Sequence, residues 1–255
     1  MRRVIRFPCS GDTLFGTLDT APGKTGLLIV SGGNEIRVGA HRGMALLAQT
    51  LAARGIPVFR FDRRGVGDST GTNGGFLSSC RDIGCAAATF SAETGIERLV
   101  AFGNCDAATA LALFVATAGI DRLILANPWV IEETDTLPPA AAIRARYVEK
   151  LKDPREWLRL ARGGVNLSKL AGGLAKVAQS KPEAAESLAA RLRTALAESR
   201  IDTTILLAAR DNTAIAFRDG WDRPVALCDT DSHSFAHPAD AAWLEAQIFA
   251  AVTRG

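Results

Sequence analysis

The 255-residue chain predicts an α/β domain, with a mostly parallel central sheet flanked by helices and one helical insertion. Three observations carry this. Short continuous apolar runs at 26–30, 56–61, 98–102, 123–126, 203–209 and 225–228 alternate with stretches of helical spacing. Such runs suit strands buried on both faces, and their alternation with helices implies parallel βαβ crossovers. The hydrophobic fraction of 47% is enough for a substantial core. Between 98 and 118, a strand pattern, a sharp turn of small residues and a helix pattern follow one another directly.

Taken in order, residues 2–20 read as a hairpin. Leu14, Gly16 and Leu18 alternate with polar residues, and Ser10-Gly11-Asp12 supplies the turn. The run at 26–30 is the first buried strand. A Gly-rich loop (31–43) and a helix (44–54) follow. The strand at 56–61 tolerates Pro57 because it lies near the start. A polar loop (62–75) leads to a helix near 78–93, then to the strand, turn and helix of 98–118. Strands at 123–126, 203–209 and 225–228 and an amphipathic helix at 240–252 complete the core, assigned to 1–127 and 201–255. Residues 128–200 contain no strand-like run and are broken by Pro138-Pro139, Pro154, Gly163-Gly164 and Gly172-Gly173. This segment reads as a helical lid over the carboxyl ends of the strands; a loosely ordered connector is the competing reading.

Composition excludes several classes. The net charge of +3, from 30 basic and 27 acidic residues spread along the chain, gives no nucleic-acid argument. No apolar run approaches the ~18 residues of a transmembrane helix. Arg2-Arg3 is followed by a strand pattern rather than an apolar leader, so no export signal is expected. The five cysteines (Cys9, Cys80, Cys85, Cys105, Cys228) lack zinc spacing and fit a reduced cytoplasm better than a disulfide framework. Cys80 and Cys85 are expected as core residues of a helix. No metal or organic cofactor is expected.

The chemistry centres on Gly103-Asn104-Cys105-Asp106-Ala107. A nucleophile at the tip of a strand-to-helix turn needs small residues beside it, here Gly103 and Ala107. The following helix points free N–H groups and its dipole at the turn, which favours a thiolate and later an oxyanion. A small buried hydrophobe is the competing reading of Cys105. A nucleophilic thiol needs a base and an orienting acid. The chain has three histidines, His41, His233 and His237. Enzymes with such an elbow run nucleophile, acid, histidine along the chain, and His233, after the last strand, fits that order. The acid belongs after the strand at 203–209, where Asp211 stands; it can also cap the helix that follows. Asp229 and Asp231 are rivals but lie too near His233 in sequence. The oxyanion donors are expected to be the N–H of Asp106 and that of Gly33 or Asn34, a choice the sequence leaves open. Arg37, His41 and Arg42 are candidates for binding an anionic substrate group, a carboxylate or phosphate. Equally open is a surface loop paired with Glu35 or Asp68.

Together with these residues, Phe61-Asp62-Arg63-Arg64-Gly65-Val66-Gly67-Asp68-Ser69 resembles the segment after the fourth strand of the α/β-hydrolase superfamily. There Asp-x-Arg-Gly-x-Gly-x-Ser recurs and is structural. The resemblance implies the α/β-hydrolase fold. More narrowly, residues 31–42, Gly103-Asn104-Cys105-Asp106-Ala107-Ala108 and Asp211-Asn212-Thr213-Ala214 resemble the exosortase A system-associated hydrolase 1 family. That resemblance implies a cytoplasmic enzyme linked to bacterial envelope or exopolysaccharide production. The resemblance does not supply the substrate; the expectation is a small acyl compound, anionic or saccharide- or lipid-linked. Cysteine in place of the superfamily's serine points first to ester or thioester hydrolysis. Acyl transfer through a cysteine thioester comes second, and a non-catalytic binding protein on the same fold third. The oligomeric state is not addressed by the sequence.

Overall fold

The computed structural model describes residues 1–115, 118–131 and 187–254. One sheet holds eight strands: β1 (Arg2–Cys9), β2 (Asp12–Asp19), β3 (Thr25–Val30), β4 (Val58–Phe61), β5 (Arg98–Asn104), β6 (Arg122–Ala126), β7 (Asp202–Ala208) and β8 (Ala226–Cys228). Their spatial order is β1-β2-β4-β3-β5-β6-β7-β8, with only β2 antiparallel to its neighbours. This is the α/β-hydrolase fold, with a mostly parallel sheet flanked by helices. The expected hairpin is β1–β2, closed by Ser10 (φ 51) and Gly11 (φ 90). Two positive φ values in a two-residue loop match the right-handed twist of the strands.

The strand residues alternate between two cores. On β3, Leu28 and Val30 face one side and Leu27 and Ile29 the other; on β5, Leu99 and Ala101 oppose Val100 and Phe102. Helices α1 (Gly43–Ala53) and α6 (Pro238–Thr253) cover one face. Helices α2 (Cys80–Thr94), α3 (Asp106–Phe114) and α4 (Leu188–Glu198) cover the other, and α5 (Asn212–Arg218) adds Phe217 to it. A parallel sheet buried on both faces needs this double cover, which explains the unbroken apolar runs. Phe59 anchors one core, stacked on Phe90 at 5.6 Å between ring centroids.

Most of the lid expected over 128–200 lies outside the described residues. Helix α4 falls within that segment. Ser187 caps it by accepting from Ala190 N at 3.2 Å, and Leu192 and Leu196 are buried in the same core as α3. This end of the segment packs with the sheet domain. Cys80 and Cys85 both lie on α2, as expected; Cys85 is half-buried and packs against the core, and Cys80 is half-buried at the start of the helix.

The polar loop after β4 is held by buried charge. Asp62, at 0% exposure, accepts hydrogen bonds from Arg37 N (2.6 Å), Asp68 N (3.2 Å) and the Arg37 guanidinium. Ser69 Oγ donates to Asp62 O and accepts from Phe15 N, tying the loop to β2. Arg60, buried in β4, pairs with Asp19 and donates to Arg37 O at 2.7 Å. Burial depresses the Arg60 pKa, and its bond to Asp19 partly offsets that. Removing one partner from a buried ion pair leaves the other charge uncompensated. Asp62→Ala should therefore destabilise the fold by about 3–5 kcal/mol. Asp68→Ala, whose carboxylate is 64% exposed, should cost under ~1 kcal/mol. Urea unfolding of the two variants checks this; equal losses would contradict it.

Candidate active site

β5 ends at Asn104, and Cys105 turns the chain into α3 with φ 62 and ψ −129. Few non-glycine residues take up such a conformation, and it persists only where the surroundings over-determine it. Here they do. Cys105 N donates to Ala126 O at 3.0 Å, and Cys105 O accepts from Ala108 N (3.1 Å) and Trp129 N (3.2 Å). A Cβ on Gly103 would sit 2.8 Å from the Ala107 carbonyl carbon, which is why position 103 must be glycine. Gly32 is a second such position: a Cβ there would collide with Asn104 O and lie 3.2 Å from Cys105 Cβ.

The loops after β7 and β8 bring the acid and the histidine to this turn. Asp211 Oδ2 accepts from Thr213 N (3.1 Å) and Ala214 N (3.2 Å), capping α5, and is 2.9 Å from His233 Nδ1. The two roles expected of Asp211 coexist on one oxygen. His233 also shares a hydrogen bond with the Cys105 side chain. With Nδ1 turned to the carboxylate, Nε2 is left for the sulfur. The bond to Asp211 and then the bond to Cys105 raise the His233 pKa from 6.5 to about 10, against the opposing effect of burial. The imidazole is therefore protonated at neutral pH and lies beside the thiol as a cation.

Two residues with no assigned role hold the histidine loop. Asn104 Nδ2 and Asn127 Nδ2 both donate to His233 O, at 3.1 and 3.0 Å. Asn127 also donates to Asn104 Oδ1 (3.2 Å) and accepts from Ala208 N (2.8 Å), while fully buried with φ 42. The ends of β5, β6 and β7 are thus joined to His233 through two amides. The sequence carried no signal for either residue, because their shared partner is a main-chain carbonyl.

Of the expected oxyanion donors, Asp106 and Gly33 lie at the elbow. The Asp106 N–H is in the first turn of α3 and has no intrahelical acceptor. Gly33 N donates to Asp106 Oδ1 at 2.7 Å. Arg63 Nη2 donates to Gly33 O and lies 3.6 Å from Asp106 Oδ2. Asn34 is exposed, its Oδ1 accepting from Asn73 Nδ2 at 2.8 Å.

Of the three residues expected to bind an anionic substrate group, Arg37 is committed elsewhere. Its guanidinium is held by Asp62, Asp68 (2.9 Å) and Thr17 Oγ1 (3.0 Å). This is the surface-loop reading, with Asp62 as the main partner. His41 and Arg42 are exposed, and among the described residues no hydrogen bond or ion pair joins them to Cys105, His233 or Asp211. The rivals fall away: Asp229 pairs with Arg210, Asp231 is exposed, and His237 is the exposed residue preceding α6. Among the described residues no His/Cys/Asp/Glu cluster could hold a metal ion, and no helix is long and apolar enough to cross a membrane.

The sequence model of the family described as serine aminopeptidase, S33, matches residues 24–212. No curated protein matches the chain. Among solved structures, DcsB in complex with its substrate analogue is similar at TM-score 0.65 and 12% identity, covering 99% of each chain. The Pyrococcus furiosus esterase Pf2001 matches at TM-score 0.62 and 14% identity, covering 97% of this chain and 88% of the other. An α/β hydrolase from Sphaerobacter thermophilus matches at TM-score 0.57 and 20% identity, covering 96% and 100%. At these identities the structural likeness establishes the fold.

The raised His233 pKa carries a stability signature. The folded pKa of about 10 lies above the ordinary 6.5. The proton on His233 therefore favours the folded state fully below about pH 6.5, and that contribution is lost as pH rises through about 10. Urea unfolding of wild type and His233→Gln across this range should show the wild-type advantage shrinking with pH. A constant difference would contradict a protonated resting histidine.

Proposed function

We propose that this chain, which belongs to the serine aminopeptidase S33 family, hydrolyses ester or thioester bonds with Cys105 as nucleophile, His233 as acid–base partner and Asp211 as the orienting carboxylate. One observation carries the reading. Asp211 Oδ2, fixed by two helix amides, is 2.9 Å from His233 Nδ1, and the same ring is bonded to the Cys105 side chain at the strained elbow. The family description names serine, and the thiol here is this chain's departure from it.

The chemistry follows from the protonated histidine. The Cys105 thiolate adds to the acyl carbonyl carbon, forming a C–S bond and pushing the π electrons onto oxygen. The oxyanion is held by Asp106 N–H and by the N–H of Gly33 or Asn34. Collapse breaks the bond to the leaving oxygen or sulfur, which takes the proton of the His233 imidazolium. The neutral imidazole then removes a proton from water as the water adds to the thioester. The second collapse breaks the C–S bond, releases the carboxylic acid and restores the thiolate–imidazolium pair. No step needs a metal or organic cofactor. Asp211 stays ionised and keeps Nε2 toward sulfur.

The substrate in this reading is a small acyl compound, saccharide- or lipid-linked. The link to exosortase and exopolysaccharide systems, and a cytoplasmic location, rest on the resemblance of residues 31–42, 103–108 and 211–214. His41 and Arg42 remain candidates for an anionic part of it. Acyl transfer is the second reading, favoured by the thiol itself: a thioester reacts more readily with an amine or thiol acceptor than with water.

The test is covalent capture. Incubation with acyl thioesters, followed by intact-mass analysis and peptide mapping, should place one acyl group on Cys105. Cys105→Ala should carry none. Asp211→Asn should slow turnover by about 10²-fold or more through the wrong imidazole tautomer. A Cys105 that neither acylates nor alkylates at neutral pH would leave a binding protein on a hydrolase fold.

A further inference from the structure

We infer that in the resting enzyme the Asp106 carboxylate caps the second oxyanion donor, Gly33 N–H, and that it must withdraw toward Arg63 before an acyl group can react. Asp106 and Arg63 then select substrates at the proposed Cys105 site. The inference rests on the cysteine-hydrolase reading and adds two residues to it.

Three features meet at this point. First, the loop amide that donates to an oxygen of the elbow is Gly33 N–H, and that oxygen already carries charge: Asp106 Oδ1 at 2.7 Å. A carboxylate oxygen here is a stand-in for the tetrahedral oxyanion, so occupant and reacting substrate compete for one N–H. Second, the other carboxylate oxygen lies 3.6 Å from Arg63 Nη2, beyond the ~2.7–2.9 Å of a charge-assisted N–H···O bond. The ion pair is stretched while the cap is in place. Third, Arg63 is 5% exposed and its Nη1 has no hydrogen-bond partner among the described residues. A buried guanidinium nitrogen without an acceptor is costly. Turning the carboxylate from Gly33 N–H toward Arg63 would shorten the ion pair and free the amide in one movement. Arg63 Nη2 also donates to Gly33 O, so the loop stays anchored while its amide is released.

The consequence is selectivity. A substrate reaches the transition state only if its binding overcomes the cap, so small neutral esters with little remote binding energy are disfavoured. Removing the cap should help those substrates first.

Two reactions at the same sulfur separate the effects. Iodoacetamide alkylation needs the thiolate but forms no oxyanion, whereas acylation by p-nitrophenyl acetate needs both. The ratio of the acylation to the alkylation rate constant isolates the oxyanion hole from changes in thiolate reactivity. Removal of one oxyanion donor typically costs ~10²–10³-fold, so uncapping one in Asp106→Ala should raise the ratio about tenfold or more. Asp106→Asn keeps a capping oxygen without the charge and should gain clearly less. Arg63→Gln should lower the ratio, and Arg63→Gln combined with Asp106→Ala should recover most of the way to the Asp106→Ala value, since no carboxylate then needs a partner and only the anchor on Gly33 O is lost. An unchanged or lowered ratio in Asp106→Ala overturns the proposal. So does a double variant that stays as slow as Arg63→Gln alone. A wild-type Cys105 inert to both reagents overturns the cysteine-nucleophile reading, and this inference with it.

Discussion

Cys105 sits at φ 62 and ψ −129, a backbone state that costs on the order of 1–3 kcal/mol for a residue with a Cβ. The molecule around it is arranged so that no relaxed alternative is available. β6 accepts its N–H, α3 and Trp129 donate to its carbonyl, and Gly103 and Gly32 bring neighbouring backbone so close that no side chain fits there. These contacts come from separate stretches of chain. They meet because a parallel sheet covered on both faces sends the loops after β3, β5, β6, β7 and β8 to one edge. The strained turn is thus a property of the whole sheet, and the thiol it projects inherits the rigidity of the core.

Charge at that edge is organised to leave little of it free. Arg37 is taken by Asp62 and Asp68, Arg64 by Asp82 and Asp12, and Arg60 by Asp19. Asp62 and Arg63, both buried, brace the loop carrying Gly32 and Gly33 through Arg37 and Gly33 O, beside the elbow. Arg37 was a plausible substrate anchor by residue type, but a carboxylate at 0% exposure cannot be left unpaired. The need to neutralise Asp62 decides where that guanidinium goes. At the centre lie a cationic imidazole and a thiol, with Asp211 behind the ring and the start of α3 behind Cys105.

The strands were legible because burial on both faces leaves continuous apolar runs, a pattern that survives without tertiary information. Cys105, His233 and Asp211 were legible because chain order and loop position constrain them jointly. Asp211 could be placed at a helix start from Asp-Asn-Thr-Ala alone, since an acceptor side chain there has amides to meet. The role of Gly32 was hidden, because what matters is a backbone 72 positions away, at Asn104. Asn104 and Asn127 were hidden for the same reason: their partner is a main-chain carbonyl, which every residue has and no sequence pattern marks. Arg63 stood at the variable position of a structural motif. Only the fold shows it meeting Gly33 O and Asp106 Oδ2. The Leu188–Glu198 helix carried a buried leucine stripe inside a segment assigned by its composition to the lid. Helical spacing alone cannot say which surface a stripe will cover.

In the reading proposed above, cysteine in place of serine changes what the site must supply. A serine hydroxyl has to lose its proton as it attacks, so its histidine must be neutral and basic at working pH. A histidine whose pKa stands near 10 already carries a proton beside the thiol. In the proposed reading, acylation then gains an acid poised for the leaving group. The difficult step moves to deacylation, where a neutral imidazole must activate water against a thioester. Asp211 matters most in that step, because it keeps Nε2 directed at the incoming nucleophile after the ring has given up its charge. The same geometry accepts an amine or thiol in place of water without any change in the protein. In that reading the choice between hydrolysis and transfer is set by which nucleophile reaches the acyl-enzyme first.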